Sequence, residues 1–262
     1  MAFRPLLLLS TLLVCMSVQA AIKAEKVSYK ADGTTMEGYV AYDTEKKKGL
    51  RPGILIVPDW MGVGSFAKEK ADKLAKEGYV AFVVDVYGKG VRPKDNKEAG
   101  ELATKYIGDR ALFRKRMRGA YDKLLSMGAV NGKKIMVMGY CFGGTGALEL
   151  ARTGVPLAGI VTFHGGLSNP TPEDAKKIKG PVLVLHGADD PHVPPAEVAA
   201  FKEEMKNAPH HYEFIEYPGA VHAFTNPKAG SDTSKGVAYN RAADQQSWEA
   251  FEQFLKQQLD NN

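Results

Sequence analysis

The sequence predicts an α/β fold: a mostly parallel, doubly wound sheet with helices on both faces. Three observations carry that expectation. Apolar runs such as GILIVP and YVAFVVDVY are nearly continuous, which marks strands covered on both sides. Helix-length mixtures of polar and apolar residues separate most of these runs, the alternation of a parallel sheet. Glycine and proline fall at the junctions, as at Gly78 and Gly128, where helices end and turns begin.

Taken in order, residues 1–20 (MAFRPLLLLSTLLVCMSVQA) hold one basic residue, Arg4, an apolar stretch from Leu6 to Met16 and a small-residue exit at Ala20. That is the pattern of a secretory signal peptide, and the stretch is shorter than the roughly 20 apolar residues a spanning helix needs. The expectation is a periplasmic or secreted protein, cleaved near Ala20, with no stable membrane association afterwards. Residues 21–262 then form a single domain, since folds of this class run to roughly 200–250 residues as a unit. Strands are expected at MEGYVAY, GILIVP, YVAFVVDVY, KIMVMG, LAGIVTFH, PVLVLHG and YEFIEYP. Helices are expected at AKEKADKLAKEG, across residues 96–127, at TGALELAR, at PAEVAAFKEEMKNA and from about Asn240 to Leu259.

Cysteine usage sharpens the question of function. The chain has only Cys15 and Cys141, and Cys15 leaves with the signal, so the mature protein carries one thiol and no internal disulfide. Cys141 lies in GYCFGG, where the KIMVM strand gives way to a helix. A nucleophile on such a turn is lifted from the sheet, but strand and helix then come so close that the positions two before and two after must be small. Gly139 and Gly143 satisfy this, giving G-x-S-x-G with Cys in place of Ser. The spacing matches neither the dinucleotide fingerprint nor the P-loop.

An elbow nucleophile calls for an acid and then a histidine later in the chain. Asp189 and Asp190 follow the PVLVLHG strand, and His222 follows YEFIEYP. Of the two acids Asp190 is the better choice, standing three before Val193 in a D-x-x-V-P turn, with Asp189 capping that turn. His164 and His186 end strands and read as structural imidazoles near the site. His210 and His211 read as surface, and His192 is too near Asp190 to serve as a distant base. The loop DWMGVG after GILIVP occupies the place that supplies one oxyanion N–H, and the residue after the nucleophile supplies the other. These are the backbone N–H groups of Trp60 and Phe142.

Together GYCFGG, GADDPHVP and GAVHAF resemble the dienelactone hydrolase family of α/β hydrolases, over nearly the whole mature chain. The resemblance implies an α/β-hydrolase fold and hydrolysis of a small ester or lactone through a thioester acyl-enzyme, without metal or organic cofactor. It implies Cys141 as nucleophile, His222 as base and then acid, and Asp190 as the group orienting the imidazole. The family glutamate that bonds to the resting thiol corresponds to Asp59. The family's two arginines for a substrate carboxylate fall in YGKGVRP, offering Lys89 or Arg92, and in HAFTNP, where Asn226 stands.

The net charge of +5 is dispersed, and the one basic cluster, RALFRKRMR, sits on an expected helix without any nucleic-acid-binding motif, so no nucleic-acid partner is expected. A ligand-binding protein on a hydrolase fold and a thiol redox protein are the competing readings. The second lacks a C-x-x-C and a resolving cysteine. Nothing in the sequence assigns an oligomeric state.

Overall fold

The computed structural model describes residues 21–45 and 49–259; the signal-peptide expectation for residues 1–20 lies outside them. Within that span the chain runs β1 (Ile22–Ala31), β2 (Thr34–Asp43), β3 (Arg51–Val57), α1 (Ser65–Glu77), β4 (Val80–Val83), α2 (Asn96–Gly108) and α3 (Arg110–Leu125). It continues with β5 (Val130–Tyr140), α4 (Phe142–Ala151), β6 (Gly159–Phe163), β7 (Val182–Gly187), α5 (Pro195–Met205), β8 (Tyr212–Tyr217) and α6 (Arg241–Leu259).

The eight strands form one sheet in the order β1-β2-β4-β3-β5-β6-β7-β8. From β4 to β8 every neighbouring pair is parallel, while β1 and β2 join antiparallel at one edge. β1 and β2 form a hairpin whose turn residues, Asp32 and Gly33, both have positive φ (49° and 72°), the backbone that matches strand twist in a two-residue turn. Strand order reverses around β3, which lies between β4 and β5. Loops leaving β3 and β5 therefore diverge beyond the strand ends, the place where sites form in such sheets.

Alternate residues of the central strands feed two cores. Ile54 and Ile56 of β3 pack with Ala71 and Leu74 of α1 and with Phe251 of α6. Leu55 and Val57 pack on the opposite face with Phe113 of α3, Leu148 of α4 and Phe201 of α5. Both faces are thus covered, as the continuous apolar runs require.

Some boundaries differ from expectation. The segment 96–127 is two helices: Asp109 ends α2, and its side chain accepts the Leu112 N–H at 2.9 Å to start α3. β1 was not expected, because IKAEKVSYKA is mostly exposed and buries only Tyr29 and Ala31. β4 stops at Val83, well short of Tyr87, because the Asp85 carboxylate bends the chain by accepting the N–H groups of Glu37 (2.9 Å) and Gly88 (3.1 Å).

Candidate active site

The end of β5 meets the start of α4 at Cys141, whose backbone has φ 54° and ψ −122°. A non-glycine residue in such a region costs about 1–3 kcal/mol and persists only where its surroundings enforce it. They do so by close approach. A Cβ on Gly139 would lie 2.0 Å from the Gly143 carbonyl oxygen, and one on Gly143 would lie 2.1 Å from that of Val57. The two glycines let strand and helix touch and leave Cys141 projecting, half-buried, from the turn.

Two later loops bring partners to the sulfur. His222 Nε2 is 2.9 Å from Cys141 Sγ, and His222 Nδ1 is 2.8 Å from Asp190 Oδ2. The other Asp190 oxygen accepts the His192 N–H at 2.8 Å, so the buried carboxylate is held at both ends. Asp189, by contrast, accepts the Gly219 N–H at 3.1 Å and braces the turn after β8. Burial works against a charged His222 ring, but the Cys141 sulfur and the Asp190 carboxylate outweigh it and raise the imidazole from 6.5 to about 10. That shift favours a proton on the ring, poised at Nε2 against the sulfur.

The ring is also packed in place. His164, buried and with φ 40°, meets it edge-on at 5.3 Å between centroids and bonds through Nε2 to Thr225 Oγ1 at 2.8 Å. Burial holds His164 well below its ordinary value, so it adds no charge beside His222. His192, exposed, lies 5.0 Å from the His222 ring on another side. His186 is buried against Phe214, and His210 and His211 are on the surface.

The loop after β3 closes the other wall. Asp59 Oδ1 accepts the Met61 N–H at 2.8 Å, and the Asp59 carbonyl accepts the Gly62 N–H at 3.0 Å. Burial pushes Asp59 up from the usual carboxylate range, with the nearby His222 pulling it back. Phe142 opens α4, so its N–H has no acceptor within the helix. Trp60 and Phe142 both belong to this wall, and among the described residues the Trp60 N–H has no protein acceptor.

Lys89, Arg92 and Asn226 are engaged elsewhere. Lys89 Nζ lies 3.5 Å from Glu37, and Arg92 bonds Asp85 Oδ1 at 3.3 Å and the Val91 carbonyl at 2.6 Å. The Asn226 side chain accepts the Lys228 N–H in its own turn. One residue escaped the sequence reading: Tyr87, buried, donates its hydroxyl to the Trp60 carbonyl at 2.8 Å. Its place beyond a parallel strand end, where sites form, was the available signal.

Among the described residues no cluster of His, Cys, Asp and Glu is arranged to hold a metal ion, and no helix is long and apolar enough to cross a membrane.

Comparisons with known proteins concern the chain as a whole. A protein of Saccharolobus solfataricus provisionally named a carboxymethylenebutenolidase is 27% identical over 272 residues, covering 88% of this chain and 98% of its own. A Bradyrhizobium protein provisionally named 2-oxo-3-(5-oxofuran-2-ylidene)propanoate lactonase is 30% identical across 73% of this chain and 81% of its own. The crystal structure of a dienelactone hydrolase-like promiscuous phosphotriesterase from metagenomic libraries superposes with a TM-score of 0.85 at 38% identity, covering 91% of this chain and 99% of that one. The model of the dienelactone hydrolase family matches residues 36–259. With that match spanning the sheet from β2 onward, the chain belongs to the dienelactone hydrolase family and is a hydrolase of the carboxymethylenebutenolidase type.

Proposed function

We propose that the protein is exported and hydrolyses small esters or lactones through a Cys141 thioester, with His222 and Asp190 completing the triad. The observation that carries this reading is the contact chain Sγ–Nε2 at 2.9 Å and Nδ1–Oδ2 at 2.8 Å on a strained elbow. The pattern of residues 1–20 supports export, and the name of the Bradyrhizobium relative supports the lactone class.

The steps follow from the positions. The Cys141 thiolate attacks the acyl carbon, forming the C–S bond as the carbonyl π electrons move to oxygen. The N–H groups of Trp60 and Phe142 receive that oxyanion. When it collapses, the C–O bond to the alcohol breaks and His222 Nε2 gives its proton to the leaving oxygen. In a lactone that oxygen remains tethered to the acyl group. Water then attacks the thioester, giving a proton to His222, and the second collapse frees the acid and restores the sulfur–imidazolium pair. Asp190 keeps Nε2 aimed at sulfur throughout. Asp59 tunes the thiol from the opposite wall. For Lys89 and Arg92 a carboxylate-binding role requires release from Glu37 and Asp85.

The test is a panel of lactones, aryl esters of varied acyl length and charge, and one aryl phosphotriester, assayed on residues 21–262. Turnover of an ester or lactone should fall nearly to background in Cys141→Ala and in His222→Ala, without additivity in the double variant. No cleavage above the Cys141→Ala level, with the thiol still labelled, would replace the enzyme by a ligand-binding protein on the same fold.

A further inference from the structure

Tyr87 stands where the loop after β3 meets the start of α4, and it touches both. Its hydroxyl donates to the Trp60 carbonyl at 2.8 Å, and its ring lies 5.7 Å from the Phe142 ring. Burial above all, with Asp59 and Cys141 close by, keeps its hydroxyl protonated far above neutral pH. It is therefore a permanent donor.

The bond matters because of what a planar peptide transmits. In a trans peptide the C=O and the N–H point in opposite directions. The Asp59–Trp60 peptide has its carbonyl tied to the Gly62 N–H at 3.0 Å, which turns the Trp60 N–H the other way. The next peptide, Trp60–Met61, is pinned at both ends: its carbonyl by Tyr87 and its N–H by Asp59 Oδ1 at 2.8 Å. Without the Tyr87 hydroxyl the second peptide keeps only its Asp59 anchor, so the Trp60 Cα that joins the two peptides is held less firmly and the position of the Trp60 N–H is less closely fixed. Tyr87 is itself fixed, its ring 5.6 Å from that of Tyr106 and its carbonyl accepting the Tyr106 hydroxyl at 3.4 Å. Phe142 is clamped from the far side by the Phe113 ring, stacked at 4.8 Å and 8°.

We propose that Tyr87 is a positioning residue for the oxyanion site, its hydroxyl anchoring the Trp60 residue that carries one N–H while its ring holds the helix start that presents the Phe142 N–H. This rests on the assignment of those two N–H groups as oxyanion donors in the thioester mechanism. Two electrophiles separate such a role from general support of the triad. An aryl ester builds negative charge on oxygen as sulfur attacks. Iodoacetamide alkylates the same sulfur by displacement at a saturated carbon and builds no such charge.

The experiment compares wild type with Tyr87→Phe, which keeps the ring and deletes one oxygen. Acylation is followed as the pre-steady-state release of the aryl alcohol together with the mass of the acyl-enzyme, and alkylation as loss of free thiol. Acylation should slow by about 10-fold or more, short of the 10²–10³ lost when a donor is deleted outright, with KM little changed. The alkylation rate and its pH profile should stay within about two-fold, a change worth less than half a kcal/mol. Equal loss of both rates would make Tyr87 a packing residue, and an unchanged acylation rate would remove it from the site. Failure of wild type to form an acyl-enzyme on Cys141 would instead overturn the thioester reading beneath it.

Discussion

At Asp59 a loop bond and a charge beside the cleft are carried by one side chain, and they can be separated. Oδ1 accepts the Met61 N–H, a bond that asparagine can keep while losing the charge. Negative charge near sulfur disfavours the thiolate, so Asp59→Asn should shift the pH midpoint for alkylation of Cys141 downward and make the enzyme easier to inactivate with peroxide. Because burial raises Asp59 itself, wild type sheds this charge on acidification, and the two profiles should converge at the acid end. An unchanged midpoint would leave Asp59 as a brace for the loop alone. The residues that the motifs single out, Cys141, Asp190 and His222, are adjacent in space. Their types and order follow a local rule of strand ends that sequence expresses directly. Tyr87 was not legible in the same way, since its partner is a backbone carbonyl 27 positions away, and nothing in a tyrosine announces which carbonyl it will meet.

Helix α4 is held at its far end by a buried ionic lattice. Arg152, wholly buried, makes a paired contact with Glu204 of α5, both distances 2.9 Å, and bonds Glu149 at 2.9 Å. Glu149 in turn accepts Arg114 Nε of α3 at 2.6 Å, and Arg114 reaches Asp174 at 2.6 Å. The lattice ties together the helices on one face of the sheet. Deleting one partner strands a buried charge, so Glu204→Gln should cost about 3–5 kcal/mol in urea unfolding, while replacing Arg152 and Glu204 together by methionine should cost much less. A single-variant loss under about 1 kcal/mol would show that solvent reaches Arg152 on relaxation. In the sequence these residues look like ordinary helix-surface charge, because ion pairing across helices leaves no periodic trace. Helix and strand identities were readable where burial imposed a pattern, as in β3 and β7. They failed at β1, whose residues face water on most sides, and at Asp109, where one capping carboxylate divides a continuous helical pattern.

Across the whole molecule, the sheet gives the site its parts from separate crossovers. The elbow follows β5, the acid follows β7 and the imidazole follows β8. Cys141 and His222 are 81 residues apart in the chain, and Asp190 and His222 are 32 apart. The family match begins at Met36, so β1 lies outside it. Yet β1 supplies the Ala31 carbonyl that accepts buried Arg116 at 2.9 Å, and is integral to that edge. This placement also has a consequence in time. Contacts between distant segments form late, since loop-closure entropy must be overcome before they add stability. Helices recovered early in refolding will therefore precede a competent thiol, and the chain should pass through a stage that is helical but chemically inert. In refolding from urea, far-UV ellipticity should return ahead of rapid Cys141 alkylation at neutral pH. Simultaneous recovery of the two signals would mean that the elbow, acid and imidazole assemble in the same step as the helices.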